Sequence, residues 1–275
     1  MAKFIVIDGL DGCGKATQTE LLAKELELQG KKVVKLEFPK YDSDSSMAVR
    51  MYLNGDLGKD ASNLNPFMCS SFYAVDRFIQ YYQENKKYFE EDDNTVIISD
   101  RYISANIIHQ GGKIKSNSER EEFVEWCYEY EHGKCGLPVE DATIILSIPI
   151  EISQKLMTER YSGDETKKDI HEQNIAYLKQ CYAGLEQILD AMKSRIHIPS
   201  QWCELSCLSV RKDYSAKDNA NSEKTTEELM EDMYELASIE KIHHNVMKIV
   251  EKVLKGENVH NKHYACFFLD SQYDM

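Results

Sequence analysis

The opening stretch constrains this chain more than any other. Phe4-Ile5-Val6-Ile7 is an unbroken apolar run of strand length, the pattern of a strand buried on both faces of a parallel sheet. It stops at Asp8, and Gly9-Leu10-Asp11-Gly12-Cys13-Gly14-Lys15 follows at once. From Lys15 the period changes, with Leu21, Leu22, Leu26 and Leu28 recurring at helical spacing until Gly30. A Gly-x-x-x-x-Gly-Lys loop between strand and helix turns backbone N–H groups and a helix N-terminus toward a phosphate, and its lysine adds a cation. The hydroxyl residue that usually follows, and that holds Mg²⁺, is replaced by Ala16, with Thr17 one place later.

The same alternation continues downstream. Val33 to Phe38 repeats the strand signature before Pro39, and Thr95 to Ser99, Ala142 to Ile148 and Trp202 to Leu208 read as further strands separated by helical stretches. This rhythm predicts βαβ units and a parallel sheet. Residues 209–237 break it, polar at first and then acidic, and are expected to form a surface insertion before an amphipathic helix from Ile239 to Leu254. We therefore expect one domain over residues 1–255 and a C-terminal tail over 256–275.

Charge narrows the function classes. Thirty-three Lys and Arg against 47 Asp and Glu leave a net charge of −14, which excludes a broad basic surface for nucleic acid. Any phosphate site has to be local. No apolar run is long enough to span a bilayer, so no membrane partner is expected. Met1-Ala2-Lys3 lacks the apolar core and cleavage site of a secretory signal, and the eight cysteines are scattered without a CxxC pair. Both features predict a cytoplasmic chain with reduced thiols. Cys13, beside a helix N-terminus and Lys15, is the thiol expected to have a lowered pKa.

Beyond the loop, the strand Val96-Ile97-Ile98-Ser99 ends in Asp100-Arg101-Tyr102. A carboxylate at such a strand end points into the crevice where open α/β sheets bind ligands, which makes Asp100 the candidate for Mg²⁺. Arg101 beside it suits bidentate phosphate recognition.

Four motifs now stand in order: Gly9 to Lys15 with Asp11 inside the loop, Phe38-Pro39-Lys40-Tyr41, Tyr73-Ala74-Val75-Asp76-Arg77 and Asp100-Arg101-Tyr102. Together, across roughly residues 3–195, they resemble the thymidylate kinase family. The resemblance implies an α/β P-loop NTPase fold, a three-layer α/β/α sandwich with a five-stranded parallel sheet and a mobile lid. It implies transfer of the γ-phosphoryl group of ATP, with Mg²⁺, to dTMP, giving ADP and dTDP. It also implies a homodimer packed through helices such as that of Asn65 to Tyr82. Alternatives are another pyrimidine monophosphate or a nucleoside as acceptor, or a catalytically silent nucleotide-binding module.

Residue by residue, the resemblance assigns Gly9, Leu10, Asp11, Gly12, Cys13, Gly14, Lys15, Ala16 and Thr17 to the ATP phosphates. Lys15 would neutralise the transferred group, and Asp11 would accept a hydrogen bond from the sugar 3′-hydroxyl. Tyr73 would stack on the pyrimidine, Arg77 would reach its O4 edge, and Asn106 would present an amide to the N3–O4 edge. Arg101, with Lys40 or Tyr41, would hold the acceptor phosphate, beside Phe38 and Pro39. His109 stands where a family tyrosine often blocks a ribose 2′-hydroxyl. The lid would be Arg160 to Glu172, with Arg160 near the donor adenine and Lys167 or Lys168 supplying charge at the transition state. Glu172 would face the substrate.

Overall fold

A computed structural model describes residues 1–58, 60–160, 174–193, 195–211 and 233–266. The chain alternates strand and helix: β1 (Lys3–Gly9), α1 (Lys15–Leu28), β2 (Lys32–Glu37), α2 (Met47–Leu53), α3 (Pro66–Gln80), α4 (Lys86–Phe89), β3 (Thr95–Asp100), α5 (Ile103–His109) and α6 (Asn117–Tyr128). It continues through β4 (Ala142–Ser147), α7 (Ile150–Arg160), α8 (Ile175–Ala191), β5 (Gln201–Ser206), β6 (Leu208–Val210), β7 (Tyr234–Leu236), α9 (Ile239–Leu254) and β8 (Lys262–Ala265). No helix among the described residues is long and apolar enough to cross a membrane.

The main sheet runs β2-β3-β1-β4-β5-β8, every pairing parallel. β1 lies at its centre because its side chains serve two cores at once. Phe4 and Val6 pack with Ile97, Ile107, Phe123 and Leu178 on one face. Ile5 and Ile7 pack with Leu22, Leu26, Ile98 and Val246 on the other. A strand that feeds both faces has no polar side to give away, which is why it reads as a continuous apolar run. α1 and α9 cover the second face, α5, α6 and α8 the first. Helix ends are fixed locally: Asn65 Oδ1 caps α3 through Met68 N, with Pro66 opening the helix, and Ser238 Oγ caps α9 through Lys241 N.

The α/β layering agrees with the sequence, with one difference in strand number. The sheet has six parallel strands rather than five, because Lys262–Ala265 within the expected tail pairs with β5 in the register Cys203↔Lys262 to Ser206↔Ala265. Ties on the way secure this edge, since Asn261 N donates to Trp202 O at 2.7 Å and Val259 N donates to Gln201 Oε1 at 2.8 Å. The expected insertion is closed at its base by β6 and β7, an antiparallel pair from Leu208↔Leu236 to Val210↔Tyr234. Residues 212–232 between them lie outside the described residues.

Strand β8 covers the edge of β5 beside buried Cys203 and Leu205. A chain ended after Glu257 is expected to melt at least about 5 °C lower, the scale of a loss of a few kcal/mol in a domain of this size. An unchanged melting temperature in a thermal scan would show that β8 stands outside the cooperative fold.

Candidate active site

β1 delivers the glycine loop into a crowded corner. A Cβ on Gly9 would collide with Leu146 O, and one on Gly12 would come within 2.7 Å of Ser153 O, so neither position admits a larger residue without displacement of the backbone. Asp8, fully buried below the loop, accepts from Gly9 N at 2.8 Å and from the Ser104 hydroxyl. Burial pushes its carboxyl above the usual carboxylate range, although Arg101 and Lys15 pull it down. α1 opens at Gly14 without a side-chain cap, which leaves its first N–H groups to whatever anion approaches. Lys15 Nζ donates to Gly9 O at 3.0 Å and Leu10 O at 2.9 Å, and lies 3.8 Å from Asp11 Oδ1.

Cys13 departs from expectation. Its thiol is buried, and that burial raises its pKa more than Lys15 lowers it. The loop thiol is held protonated, the reverse of the activation its position suggested.

The end of β3 lies beside the loop because β1 and β3 pair in the register Ile7↔Asp100. Arg101 then turns with φ 67°, a left-handed conformation a non-glycine residue adopts only when its surroundings enforce it. Here Arg101 N donates to Ile7 O at 3.2 Å, and the Ser99 hydroxyl donates to Arg101 O. The turn aims the guanidinium back over the loop, where Nη2 donates to Asp11 Oδ1 and Nη1 donates to His109 Nε2 at 3.0 Å. A guanidinium has no lone pair to offer, so His109 Nε2 accepts and the ring proton sits on Nδ1. Burial, against the pull of Asp11 and with the help of Arg101 and Lys15, lowers the His109 pKa to about 4. The imidazole is neutral at physiological pH.

Two cavities open on either side of Asp11 and Arg101. The smaller is lined by Asp11, Phe38, Pro39, Tyr41, Tyr73, Arg77, Arg101, Asn106 and His109. Those are the residues expected around an acceptor, apart from Glu172. The larger is lined by Asp11, Gly12, Gly14, Lys15, Ala16, Asp100, Arg101 and Arg160. Thr17 is exposed on α1, outside that lining, while Gly9, Leu10 and Cys13 are buried in the loop. Lys167, Lys168 and Glu172 lie outside the described residues. Lys40 is turned to Glu84, with Nζ 2.9 Å from Oε2.

Several participants were not anticipated from sequence. Leu53, Ala105 and Gln110 complete the smaller cavity, and Glu37, Arg50 and Asn54 the larger. Arg50 also orders the loop after β2, donating from Nη1 to Tyr41 O at 2.8 Å and Ser43 O at 2.6 Å. Behind the smaller cavity, Glu131 holds Arg77 by two hydrogen bonds of 2.6 Å, with both side chains only 1% exposed. None of these residues belongs to a contiguous motif.

The donor set fits Mg²⁺ in kind. Asp100 and Glu37 pair across β3 and β2 at the carboxyl ends of the strands, and both line the larger cavity. Their oxygens are hard ligands, and Mg²⁺ typically takes one or two carboxylates, keeping waters and substrate phosphates for the rest of its shell. Among the described residues no cluster of three Asp, Glu, His or Cys forms a cage of its own. Ala16 offers no hydroxyl, so any ligand the protein supplied to Mg²⁺ in this cavity would come from these carboxylates.

Comparison with known proteins accords with this geometry. A model of the thymidylate kinase family matches residues 7–201. The thymidylate kinase of Mycobacterium tuberculosis is 25% identical over 179 residues, covering 64% of this chain and 80% of the relative. A probable thymidylate kinase of Methanosphaera stadtmanae is 32% identical over 177 residues, covering 64% and 82%. The fold is shared with the thymidylate kinase of Candida albicans, at a TM-score of 0.57 and 16% identity over 91% of this chain and 92% of that one. The glycine loop on β1, the Asp100-Arg101 strand end and a family match spanning both cavities together make this chain a member of the thymidylate kinase family.

Proposed function

We propose that the chain transfers the γ-phosphoryl group of ATP to dTMP, giving ADP and dTDP. One observation carries the reading: the two cavities share a wall made by Asp11, Tyr41, Leu53 and Arg101. A donor held at the glycine loop and an acceptor held beside Tyr73 would meet with their phosphates at that wall, which is what in-line transfer between two bound nucleotides requires.

The residues divide the work accordingly. Two of the three donors of Lys15 Nζ go to loop carbonyls, and the third, directed at Cys13 Sγ at 3.9 Å, would turn from that weak acceptor to a donor phosphate. Arg101 lines both cavities and suits the phosphate that is common to them, with Arg50 beside it. Asp11, bonded to Arg101, would accept from the sugar hydroxyl. Tyr73 and Phe38 offer flat apolar surface to the pyrimidine. Mg²⁺, held through Asp100 and Glu37, would neutralise phosphate charge when bound. Residues 160–172 are proposed as the lid, contributing Lys167 or Lys168 and Glu172 and excluding water from the transferred group. A homodimer through α3 and the π-helical turn that continues it is also proposed, because Met68, Val75, Phe78 and Tyr82 recur at helical spacing and stand exposed.

The reading is tested by coupled ADP release with ATP and Mg²⁺ against deoxy and ribo monophosphates and thymidine. A clear preference for dTMP supports it; ADP release independent of every acceptor overturns it. Lys15→Ala and Arg101→Ala are each expected to lower turnover at least about 100-fold, the effect of losing one well-placed charge at a developing transition state. Near-normal turnover in either would remove that residue from the site. Val75→Asp is expected to sediment as a monomer where the parent sediments as a dimer, and an unchanged species in the variant would move the interface elsewhere.

His109 sets a pH dependence of stability. Its folded pKa of about 4 lies below the ordinary histidine value of about 6.5, so in that window the unfolded chain binds the extra proton. Its contribution is therefore present above about pH 6.5 and is lost as pH falls toward 4, with a slope of at most about 1.4 kcal/mol per pH unit. Denaturant unfolding between pH 7 and 4.5 should show a shallower loss in His109→Gln than in the parent. Equal slopes would mean that the histidine is not buried as a neutral base.

A further inference from the structure

Arg77 and Asn106 line the smaller cavity side by side, and a single carboxylate behind them holds both. Glu131 sits in the π-helical turn Glu129–Lys134 that extends α6. Its Oε2 accepts from Arg77 Nε and its Oε1 from Arg77 Nη2, each at 2.6 Å. Oε1 also accepts from Asn106 Nδ2 at 3.2 Å, and the same amide nitrogen donates to Ser70 O at 3.2 Å. A backbone carbonyl and an ionised carboxylate are acceptors only. Turning the Asn106 amide over would set its carbonyl oxygen against both, so the orientation is fixed by chemistry and not by convention.

Two consequences follow at the cavity wall. Asn106 has both amide hydrogens engaged, and its Oδ1, which bonds to no described residue, is the atom left to face a ligand. Arg77 has Nε and Nη2 engaged by Glu131, and Nη1 is its remaining donor edge. The wall therefore presents an acceptor next to a donor.

We infer that Glu131 is a positioning residue that sets which pyrimidine edge this cavity accepts. By holding Asn106 and Arg77 in these orientations, it builds an acceptor beside a donor. That pair complements the N3–H donor and 4-oxo acceptor of thymine and uracil. It opposes cytosine, whose N3 accepts and whose 4-amino group donates. Glu131 lies behind the wall and acts through the two side chains it orients. The inference rests on the acceptor reading above and deepens it, by assigning discrimination between 4-oxo and 4-amino rings to a residue outside the wall.

The experiment compares kcat/KM for dTMP, dUMP and 5-methyl-dCMP in the parent and in Glu131→Gln, with ATP and Mg²⁺ saturating. Glutamine keeps the shape but offers one acceptor oxygen where Arg77 and Asn106 bring three donors, so an N–H is set against Arg77 or Asn106 and the paired orientation is lost. The expected result is at least a tenfold fall in the ratio of dTMP to 5-methyl-dCMP, with the ratio of dTMP to dUMP unchanged. Damage to the fold alone would lower all three acceptors together. An unchanged ratio of dTMP to 5-methyl-dCMP in a folded variant overturns the role of Glu131. If Glu131→Gln does not accumulate folded, Glu131→Asp keeps the buried charge, shortens the reach to Arg77 and Asn106, and is read by the same ratio. A parent enzyme that fails to prefer 4-oxo rings would instead overturn the acceptor reading itself, so the two failures are distinguishable.

Discussion

The ion pair between Arg101 and Asp11 joins the two parts of the molecule on which everything else depends. Asp11 belongs to the loop that leaves β1, and Arg101 to the turn that leaves β3. Parallel pairing of those strands brings the two turns to one edge of the sheet, and the left-handed Arg101 backbone sends its guanidinium across the gap. A non-glycine residue in that conformation costs on the order of 1–3 kcal/mol, which persists only where bonds around it compensate. Ile7 O, the Ser99 hydroxyl, Asp11 and His109 supply those bonds. The strain is local, and so is its use: the same guanidinium forms the wall between the two cavities.

Electrostatics at the site runs against that of the chain. The net charge is −14, yet Lys15, Arg50, Arg101 and Arg160 converge on the larger cavity. Summed charge governs encounter and solubility at long range, while affinity for a phosphate is decided by groups within hydrogen-bond reach. The carboxylates among those cations each have a local assignment. Asp11 is bonded to Arg101, Asp100 and Glu37 face each other at the strand ends and are proposed to hold Mg²⁺, and Asp8 serves the loop from below. Neutral His109 keeps a further positive charge out of a corner that already holds Arg101 and Lys15.

Much of this was legible because it is local. Apolar runs of strand length marked β1 to β5, and contiguous motifs marked the loop, the end of β2, the tyrosine and arginine of α3 and the end of β3. What stayed hidden is long-range. Glu131 lies 54 residues from Arg77 in an irregular helical turn, and no spacing rule links an arginine on one helix to a carboxylate beyond the end of another. The sixth strand, Lys262-His263-Tyr264-Ala265, is short and half polar, so only its pairing with β5 identifies it. Cys13 was misjudged for a related reason: neighbouring charges can be read from a motif, whereas burial, the larger influence on its pKa, is a property of the folded corner.

A crystal structure of the protein with ADP and dTMP bound together tests the central claim most directly. The dTMP phosphate should lie within hydrogen-bond distance of the Arg101 guanidinium, with its ring against Tyr73 and the ADP phosphates at Lys15 and the N-terminus of α1. A dTMP bound away from Arg101, or seated with its ring outside the cavity of Tyr73, Arg77 and Asn106, would contradict the assignment of a shared wall between donor and acceptor.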